Sequence, residues 1–298
     1  MLYNNLSGYL KEKYGKRLKK ICVDGGFSCP NRDGTVGIGG CIYCSERGSG
    51  EHICMGVSIK EQVMRGLLGA KEDDGFIVYF QNFTNTYADV ETLQKRYNEA
   101  LFDKRIKILA IGTRPDCINE DVARLIASYK GRVDVWVELG LQSASDRTAE
   151  LINRGYKSSV YVDACRMLKE YKIDTVTHLM IGLPEEDEKD LEKSVKLVNS
   201  TEPFGIKIHS VYVAEGTRLA EMYRRGEYQP IEKETYTDRA VYVLTHISPK
   251  TVVHRITGDC PRDMLVAPEW NADKNSVISE INKKMQTLMV KQGCFYEK

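Results

Sequence analysis

The sequence has no long apolar run. None of its 298 residues lies in a stretch that approaches the roughly 20 apolar residues of a membrane-spanning helix. The first 20 residues also lack the uninterrupted apolar core of a signal peptide. We therefore expect a cytoplasmic protein that has no membrane partner.

An excess of charge of one sign is also missing. Lys and Arg total 43 and Asp and Glu total 42, so the formal net charge is +1. This balance provides no global field that would attract nucleic acid or a membrane surface, so any such partner must be recognised locally. The basic run at 11–20 is a local candidate for RNA binding, although a single short run is usually solvated surface.

Linkers and repeats are absent as well, which favours one large domain. Short β-branched or aromatic runs alternate with amphipathic segments of about 10 to 15 residues, and this alternation predicts βα units around a parallel sheet. The predicted strands span 20–24, 76–81, 106–112, 134–142, 175–182 and 205–213. The predicted helices between them span 58–68, 89–102, 120–129, 159–171 and 188–199.

The C-terminal part has a different pattern. It predicts a helix at 232–246, a further strand at 251–255 and an amphipathic helix at 276–291, with Val277, Ile281, Met285 and Leu288 on one face. We expect an N-terminal extension (1–18), a central α/β unit (19–230) and a C-terminal α/β cap (231–298) packed on it.

Three of the nine cysteines are clustered. Cys29, Cys41 and Cys44 form a C-x11-C-x2-C pattern in a glycine-rich loop after the first predicted strand. Thiolates bind zinc or iron–sulfur clusters, and structural zinc prefers four protein ligands. Three cysteines would leave one coordination position open, whereas Cys22 could complete a zinc site in an RNA- or protein-binding module without catalysis. The loop pattern alone leaves both alternatives open.

The other cysteines do not form a second cluster pattern. None of them stands in a C-x2-C pair, and an auxiliary cluster normally needs three or four convergent thiols. We therefore predict no auxiliary cluster. These cysteines are Cys54, Cys117, Cys165, Cys260 and Cys294.

Polar residues also interrupt the predicted strands. Glu138 lies in a β-rich run, where an acid is costly to bury unless it is paired. Gln142 lies four residues further along the strand, and the alternation of side chains puts both on one face. Lys207 and His209 share a face of a later strand for the same reason.

Several motifs occur in an order that resembles the radical S-adenosylmethionine (SAM) superfamily. They are CIYC, GTRPD, VELGLQSASDRTAELINRGY, THLMIGLPEED and the late HRITGDCPRDMLVAPEWN. Together they resemble the YhcC-like group, which is related to the radical SAM domain of the elongator catalytic subunit and to oxygen-independent coproporphyrinogen oxidases. The usual cysteine spacing is C-x3-C-x2-C, so the first gap departs from the common pattern.

This resemblance implies a partial (βα)6 barrel that the N- and C-terminal extensions close. It implies that Cys29, Cys41 and Cys44 hold a [4Fe-4S] cluster whose open iron binds SAM. The implied SAM contacts are Gln81, Asn82, Thr84, Thr113, Glu138, Gln142, Arg154 and His178. The candidates for chemical roles on the substrate side are His178, Lys207 and His209.

The resemblance also implies an activity and partners. We expect reductive cleavage of SAM to a 5′-deoxyadenosyl radical, hydrogen abstraction from an unidentified substrate, and an external electron donor such as flavodoxin or ferredoxin. Elongator-type relatives act on transfer RNA, so a tRNA-modifying enzyme is an alternative that the near-zero net charge does not favour.

Overall fold

The structure is a computed structural model that describes residues 1–48, 50, 53 and 56–297. Its strands are β1 (Lys19–Val23), β2 (Phe76–Phe80), β3 (Ile106–Thr113), β4 (Asp134–Gln142), β5 (Asp174–Ile181), β6 (Gly205–Ser210), β7 (Val213–Ala214), β8 (Val252–Arg255) and β9 (Leu265–Ala267). Its α-helices are α1 (Leu6–Tyr14), α2 (Ile59–Gly66), α3 (Val90–Ala100), α4 (Glu120–Ser128), α5 (Asp146–Leu151), α6 (Ser158–Glu170), α7 (Glu188–Thr201), α8 (Arg218–Arg224), α9 (Lys233–His246) and α10 (Lys274–Thr287).

The main sheet has seven parallel strands, and their spatial order is β1-β2-β3-β4-β5-β6-β8. The sheet curls into a half-barrel. The barrel is not closed, because its two edge strands, β1 and β8, each pair with one strand of the sheet only. The predicted partial barrel is therefore confirmed. A lateral opening separates the two edge strands.

The number of strands differs from the sequence expectation. The predicted strand at 251–255 is β8, and it pairs with β6 in the main sheet. The C-terminal segment therefore contributes a seventh barrel strand as well as a cap. The predicted strand at 205–213 ends at Ser210, and Val213 pairs antiparallel with Ala267 in a separate two-stranded ribbon. The boundaries at 18/19 and 230/231 stay predictions.

The helices begin where short polar side chains satisfy free backbone N–H groups. An oxygen of the residue before each helix accepts a hydrogen bond from an N–H in the first turn, which stabilises the helix start. This contact is present at Ser58, Asp89, Asn119, Ser145 and Asp187. The apolar faces of α2, α3, α4 and α7 pack on the sheet and form part of the largest core.

The amino end of the barrel is sealed by apolar side chains. Leu10 of α1 and the nearby Leu18 pack against Ile77, Ile108 and Trp136, which alternate with the outward-facing residues of their strands. The segment before α1 also follows the edge of β8, where the backbone N–H of Val253 donates to Asn4 at 2.7 Å. The expectation is that the N- and C-terminal extensions together close the barrel; the N-terminal segment covers its amino end and follows one edge strand.

One part of the predicted face of the last helix is wrong. Val277, Ile281 and Met285 are fully buried, but Leu288 is 60% exposed. The helix ends at Thr287, and the backbone then turns so that Val290 packs against the core instead. Among the helices in the described ranges, none has both the length and the apolar content that crossing a membrane requires.

Candidate functional site

A cavity of about 690 Å³ opens at the carboxyl ends of the parallel strands. This is the end at which parallel sheets usually bind ligands. Each of the seven strands contributes at least one polar or reactive side chain to the wall. These side chains include Cys22, Tyr79, Thr113, Glu138, His178, Lys207 and Arg255.

The three clustered cysteines meet at the rim of this cavity. Cys29, Cys41 and Cys44 all line it, and each is a free thiol. The Cys44 thiol is hydrogen-bonded to the Cys41 sulfur, and this bond lowers the pKa of Cys41 to about 6. Burial opposes that shift, whereas the positive charge of Arg114 adds to it. The same hydrogen bond raises the pKa of Cys44.

Backbone contacts hold the cysteine loop in place. The Gly40 N–H donates to the Asn31 carbonyl oxygen at 2.8 Å, and the Asn153 side-chain amide donates to the Gly40 carbonyl oxygen at 2.8 Å. Gly40 has φ +77°, and a Cβ there would lie 2.9 Å from Arg32 Nε. The chain therefore needs glycine at this position, for its backbone conformation and for the close approach of Arg32.

The donor set fits an iron–sulfur cluster better than a single zinc ion. Cys22 lies on β1 opposite Tyr79, inside the barrel. No three His, Cys, Asp or Glu side chains within the described ranges converge closely enough to hold one metal ion. The closed zinc site with Cys22 is therefore not formed by the described residues, whereas the thiolates of a cluster bind different irons and need not meet at one point.

Four of the leftover cysteines lie within the described ranges, and these four do not line the cavity: Cys117, Cys165, Cys260 and Cys294. Cys165 is buried in the main core, as its apolar neighbours predict, and Cys294 is exposed at the end of the chain. Cys54 lies outside the described residues. The expectation of no auxiliary cluster stays a prediction.

A buried ionic cluster lies deeper in the barrel. Glu138 is 2% exposed, and one of its oxygens accepts hydrogen bonds from Lys207 and, at 2.8 Å, from His178. Burial raises the pKa of Glu138, but the positive charge of Lys207 and the His178 bond outweigh burial and hold this pKa well below its usual range. Glu138 is therefore the charged centre of this group.

Burial lowers the pKa values of the basic residues around Glu138. Burial, assisted by the charges of Lys20 and Arg255, lowers the pKa of Lys207 to about 7. Burial also lowers the pKa values of His178 and His209, whose ring centroids lie 5.2 Å apart. The structure thus brings together the three residues that were expected on the substrate side.

Four of the predicted strand-end contacts reach the cavity, namely Gln81, Thr84, Thr113 and Gln142. The Thr84 hydroxyl is buried and has no hydrogen-bond partner in the part of the chain that the structure describes, which fits a polar ligand in the cavity. Asn82 does not line the cavity, because its fully buried amide points at the backbone of Gly50.

Arg154 also lies elsewhere than expected. Its guanidinium is fully buried and donates to the carbonyl oxygens of Leu141, Ser143 and Tyr156, and it does not line the cavity. These bonds hold the loop that follows β4. The expected direct contact with a SAM carboxylate is therefore not supported, because the backbone already uses the donors of this side chain.

Arg114 is an arginine of the cavity that the sequence motifs did not single out as a ligand contact. Its guanidinium lies 4.7 Å from the Tyr156 ring centroid, pairs with Asp116 at 2.7 Å and donates to the Arg154 carbonyl oxygen at 2.9 Å. The charge of Arg114 also acts on Cys29 and Cys41. The GTRPD motif contained this signal, because Arg114 directly follows the strand-end Thr113.

Comparisons with known proteins agree with the geometry. The model of the Radical SAM superfamily matches residues 29–198, and the model of the Radical_SAM C-terminal domain matches residues 203–287. The chain is 36% identical to YtqA of Bacillus subtilis over 99% of this chain and 93% of YtqA. It is 34% identical to YhcC of Escherichia coli K12 over 95% of this chain and 92% of YhcC.

Other relatives match part of the chain. A tRNA uridine(34) acetyltransferase of Dehalococcoides mccartyi is 32% identical over 51% of this chain and 33% of its own length. The solved structure of Methanocaldococcus infernus Elp3 superposes with a TM-score of 0.67 at 22% identity, over 78% of this chain and 59% of that structure. This similarity supports the half-barrel fold.

Proposed function

Because the chain belongs to the radical SAM superfamily, and is thus a radical SAM enzyme, we propose that Cys29, Cys41 and Cys44 hold a [4Fe-4S] cluster beside a SAM site. The observation that carries this proposal is that three free thiols and the polar ends of seven strands line one cavity. When bound, these cofactors supply an electron that cleaves SAM and a 5′-deoxyadenosyl radical that abstracts hydrogen from the substrate.

The residues near the cysteines then bind and orient SAM. The buried Thr84 hydroxyl and the Gln81, Thr113 and Gln142 side chains offer polar contacts at neighbouring strand ends. Three of the five N–H groups of Arg114 donate to Asp116 and to the Arg154 carbonyl oxygen, so two remain to face a carboxylate. The Tyr156 ring lies against this guanidinium. Arg154 acts indirectly by holding the loop that follows β4. The Asn82 amide is buried and has no hydrogen-bond partner among the described residues, so it is given no role.

The deeper residues serve the substrate side. His178, Lys207 and His209 line the cavity wall below the strand ends, and Glu138 orients His178 and Lys207. Since the pKa of Lys207 is lowered to about 7, its amine can hold or release a proton near neutral pH. An external one-electron donor of the flavodoxin or ferredoxin class would supply the cluster.

The cluster assignment is tested by replacing single cysteines. Cys41→Ala should abolish the visible absorbance of the anaerobically purified protein and its acid-labile sulfide, because a proposed ligand of the cluster is lost. Cys294→Ala is the matched control, because Cys294 is exposed and distant in sequence from the loop. Tightly bound zinc without sulfide in the unaltered protein would rule the proposal out.

A tRNA-modifying enzyme is the second candidate function. The basic run at 11–20 ends in Lys19 and Lys20, and both line the cavity. A relative named as a tRNA uridine(34) acetyltransferase matches half of the chain. If tRNA is the substrate, anaerobic incubation with total tRNA should increase 5′-deoxyadenosine formation and change the mass of one nucleoside; a response to neither would remove this candidate.

A further inference from the structure

Three basic side chains converge where the half-barrel is open. Lys20 comes from edge strand β1, Arg255 from edge strand β8, and Lys207 from the adjacent β6, and all three line the cavity. Lys207 and Arg255 are register partners. The three residues therefore face the lumen from both sides of the lateral opening.

Lys20 and Lys207 both approach the ring of Tyr79. Lys20 Nζ lies 5.2 Å from the centroid of the Tyr79 ring, and Lys207 Nζ lies 4.4 Å from the same centroid. Both ammonium groups thus contact one aromatic ring. Cys22, the register partner of Tyr79, lines the same cavity.

The cavity wall carries more basic than acidic side chains, although most of the basic ones have an acidic partner. Among its described residues the cavity has seven Lys and Arg side chains and two carboxylates, Glu138 and Asp259, although the whole chain carries a net charge of only +1. Glu138 is already bonded to Lys207 and His178, and Asp259 is paired with Arg255 at 3.1 Å and with Lys274. Lys19, Arg65 and Arg114 are also ion-paired, with Asp74, Glu61 and Asp116. Of the three cations at the lateral opening, Lys20 alone has no carboxylate partner within the described ranges.

The cluster site does not account for the three cations. Arg114 acts on Cys29 and Cys41, and the Arg32 guanidinium donates to the carbonyl oxygens of Cys44 and Ser45. These two arginines serve the cysteine loop. Lys20, Lys207 and Arg255 lie instead along the lateral opening, where a substrate would meet them.

Electrostatics explains what such a wall attracts. Like charges that face one another in a partly dehydrated cavity repel, and the charges of Lys20 and Arg255 add to burial in lowering the pKa of Lys207. An anion between them removes this repulsion. A cleft lined by one sign of charge also raises the local concentration of oppositely charged ligands.

We propose that the opening between β1 and β8 binds a carboxylate or phosphate group of the substrate, which Lys20 and Arg255 contact from the two edges and Lys207 from within. This inference rests on the proposed function, because it places the substrate in the cavity that holds SAM. A guanidinium such as that of Arg255 can donate two parallel N–H bonds to two oxygens of either a carboxylate or a phosphate.

The test is a titration of anaerobically reconstituted full-length protein with inorganic phosphate and, separately, with acetate, at constant ionic strength. Binding is followed as the rise in unfolding temperature with ligand concentration. We expect at least one anion to saturate. Lys20→Ala and Arg255→Ala should each raise the apparent dissociation constant about tenfold, the usual effect of losing one charge-assisted hydrogen bond.

Two further variants sharpen the result. Lys196→Ala, which removes an exposed lysine from α7, should leave the titration unchanged. Arg255→Lys keeps the charge and loses the planar fork, so it should bind with intermediate affinity. Saturation by phosphate alone or by acetate alone supports the site and selects the group; no saturation, or equal binding by Lys20→Ala and the unaltered protein, overturns it.

The proposed cofactors are tested separately on the same samples. Iron, sulfide and SAM binding are measured before each titration. A protein that has the cluster and SAM but no saturable anion site overturns this inference alone. A protein without a cluster that still binds the anion through Lys20 and Arg255 overturns the proposed cofactor and leaves the anion site standing.

Discussion

Arg114 and Arg154 are two buried arginines with different contacts. Arg154 donates to three backbone carbonyl oxygens, whereas Arg114 lines the cavity and stacks on Tyr156. A buried guanidinium can thus hold a loop or face a ligand, and only its surroundings distinguish the two roles. This difference is why we propose Arg114, and not Arg154, as the arginine that contacts SAM.

Replacing Arg114 by alanine should weaken SAM binding about tenfold or more, because a charge-assisted contact to the carboxylate is lost. Equilibrium dialysis of reconstituted protein measures this affinity, and the iron content should stay normal. Arg124→Ala, which removes an exposed arginine from α4, is the control. Unchanged SAM affinity in the Arg114 variant would contradict the assignment.

Lys207 gives the stability of the protein a pH dependence. Its folded pKa of about 7 lies below the ordinary value of 10.5, so the unfolded chain binds more protons between these values. The free energy of unfolding should therefore rise with pH from about 7 upward. Lys207→Met should lack this part of the rise.

Urea unfolding of both proteins between pH 7 and pH 9 measures this contribution. The difference between the two proteins cancels the other titrating groups. A constant difference across this range would show that burial does not lower the pKa of Lys207.

The cysteine loop is the element that distinguishes this site. Its C-x11-C gap is filled by a turn in which Asp33 and Ile38 form an antiparallel bridge, and Asn153 holds the backbone beyond it through the Gly40 carbonyl oxygen. Glycines with positive φ shape this loop. The longer gap thus keeps the three cysteines at one cavity rim.

Two glycines of this loop provide a matched pair of variants. Gly40→Ala and Gly34→Ala both place a side chain at positive φ, at a cost of about 1 kcal/mol or more. An alanine at 40 also meets Arg32, whereas nothing lies within 4 Å of an added Cβ at 34.

We therefore expect Gly40→Ala to lower the iron content per chain much more than Gly34→Ala does. Iron analysis after anaerobic reconstitution measures this difference. Equal losses in the two variants would show that backbone strain, and not the contact with Arg32, governs the loop.

The sequence predicted the elements of the sheet better than their arrangement. Period-two alternation placed Glu138 with Gln142 and Lys207 with His209 on shared faces, and all four line the cavity. The place of β8 beside β6 could not be predicted, because the pairing joins segments that strand β7 and two helices separate in sequence. Arg114 was missed because it lies beyond the end of β3, where strand alternation no longer fixes its direction.

The whole molecule combines a sealed end and an open end. Apolar side chains close the amino end of the barrel, and polar side chains line the carboxyl end and the lateral opening. This arrangement places the proposed cofactors and the substrate in one cavity while the outer cores stay apolar. Lys20, Lys207 and Arg255 lie in the same cavity, where the substrate is proposed to bind.

Reconstituted protein given SAM and a chemical reductant without oxygen should form 5′-deoxyadenosine and methionine even without substrate. Cys294→Ala should retain this activity, and Cys41→Ala should lose it. Chromatography of the quenched reaction measures both products. Absence of 5′-deoxyadenosine from protein with a full complement of iron and sulfide would contradict the proposed chemistry.

The segment before α1 has a consequence for self-association. A strand at the edge of a sheet presents unpaired backbone groups that can recruit a strand of another molecule. Here Asn4 accepts the Val253 N–H, and Asn5 forms a parallel bridge with Val253, so the first residues cover part of the β8 margin. This cover shields that margin from strand addition by a neighbouring copy. It leaves open the gap in the barrel wall where we propose that the substrate binds.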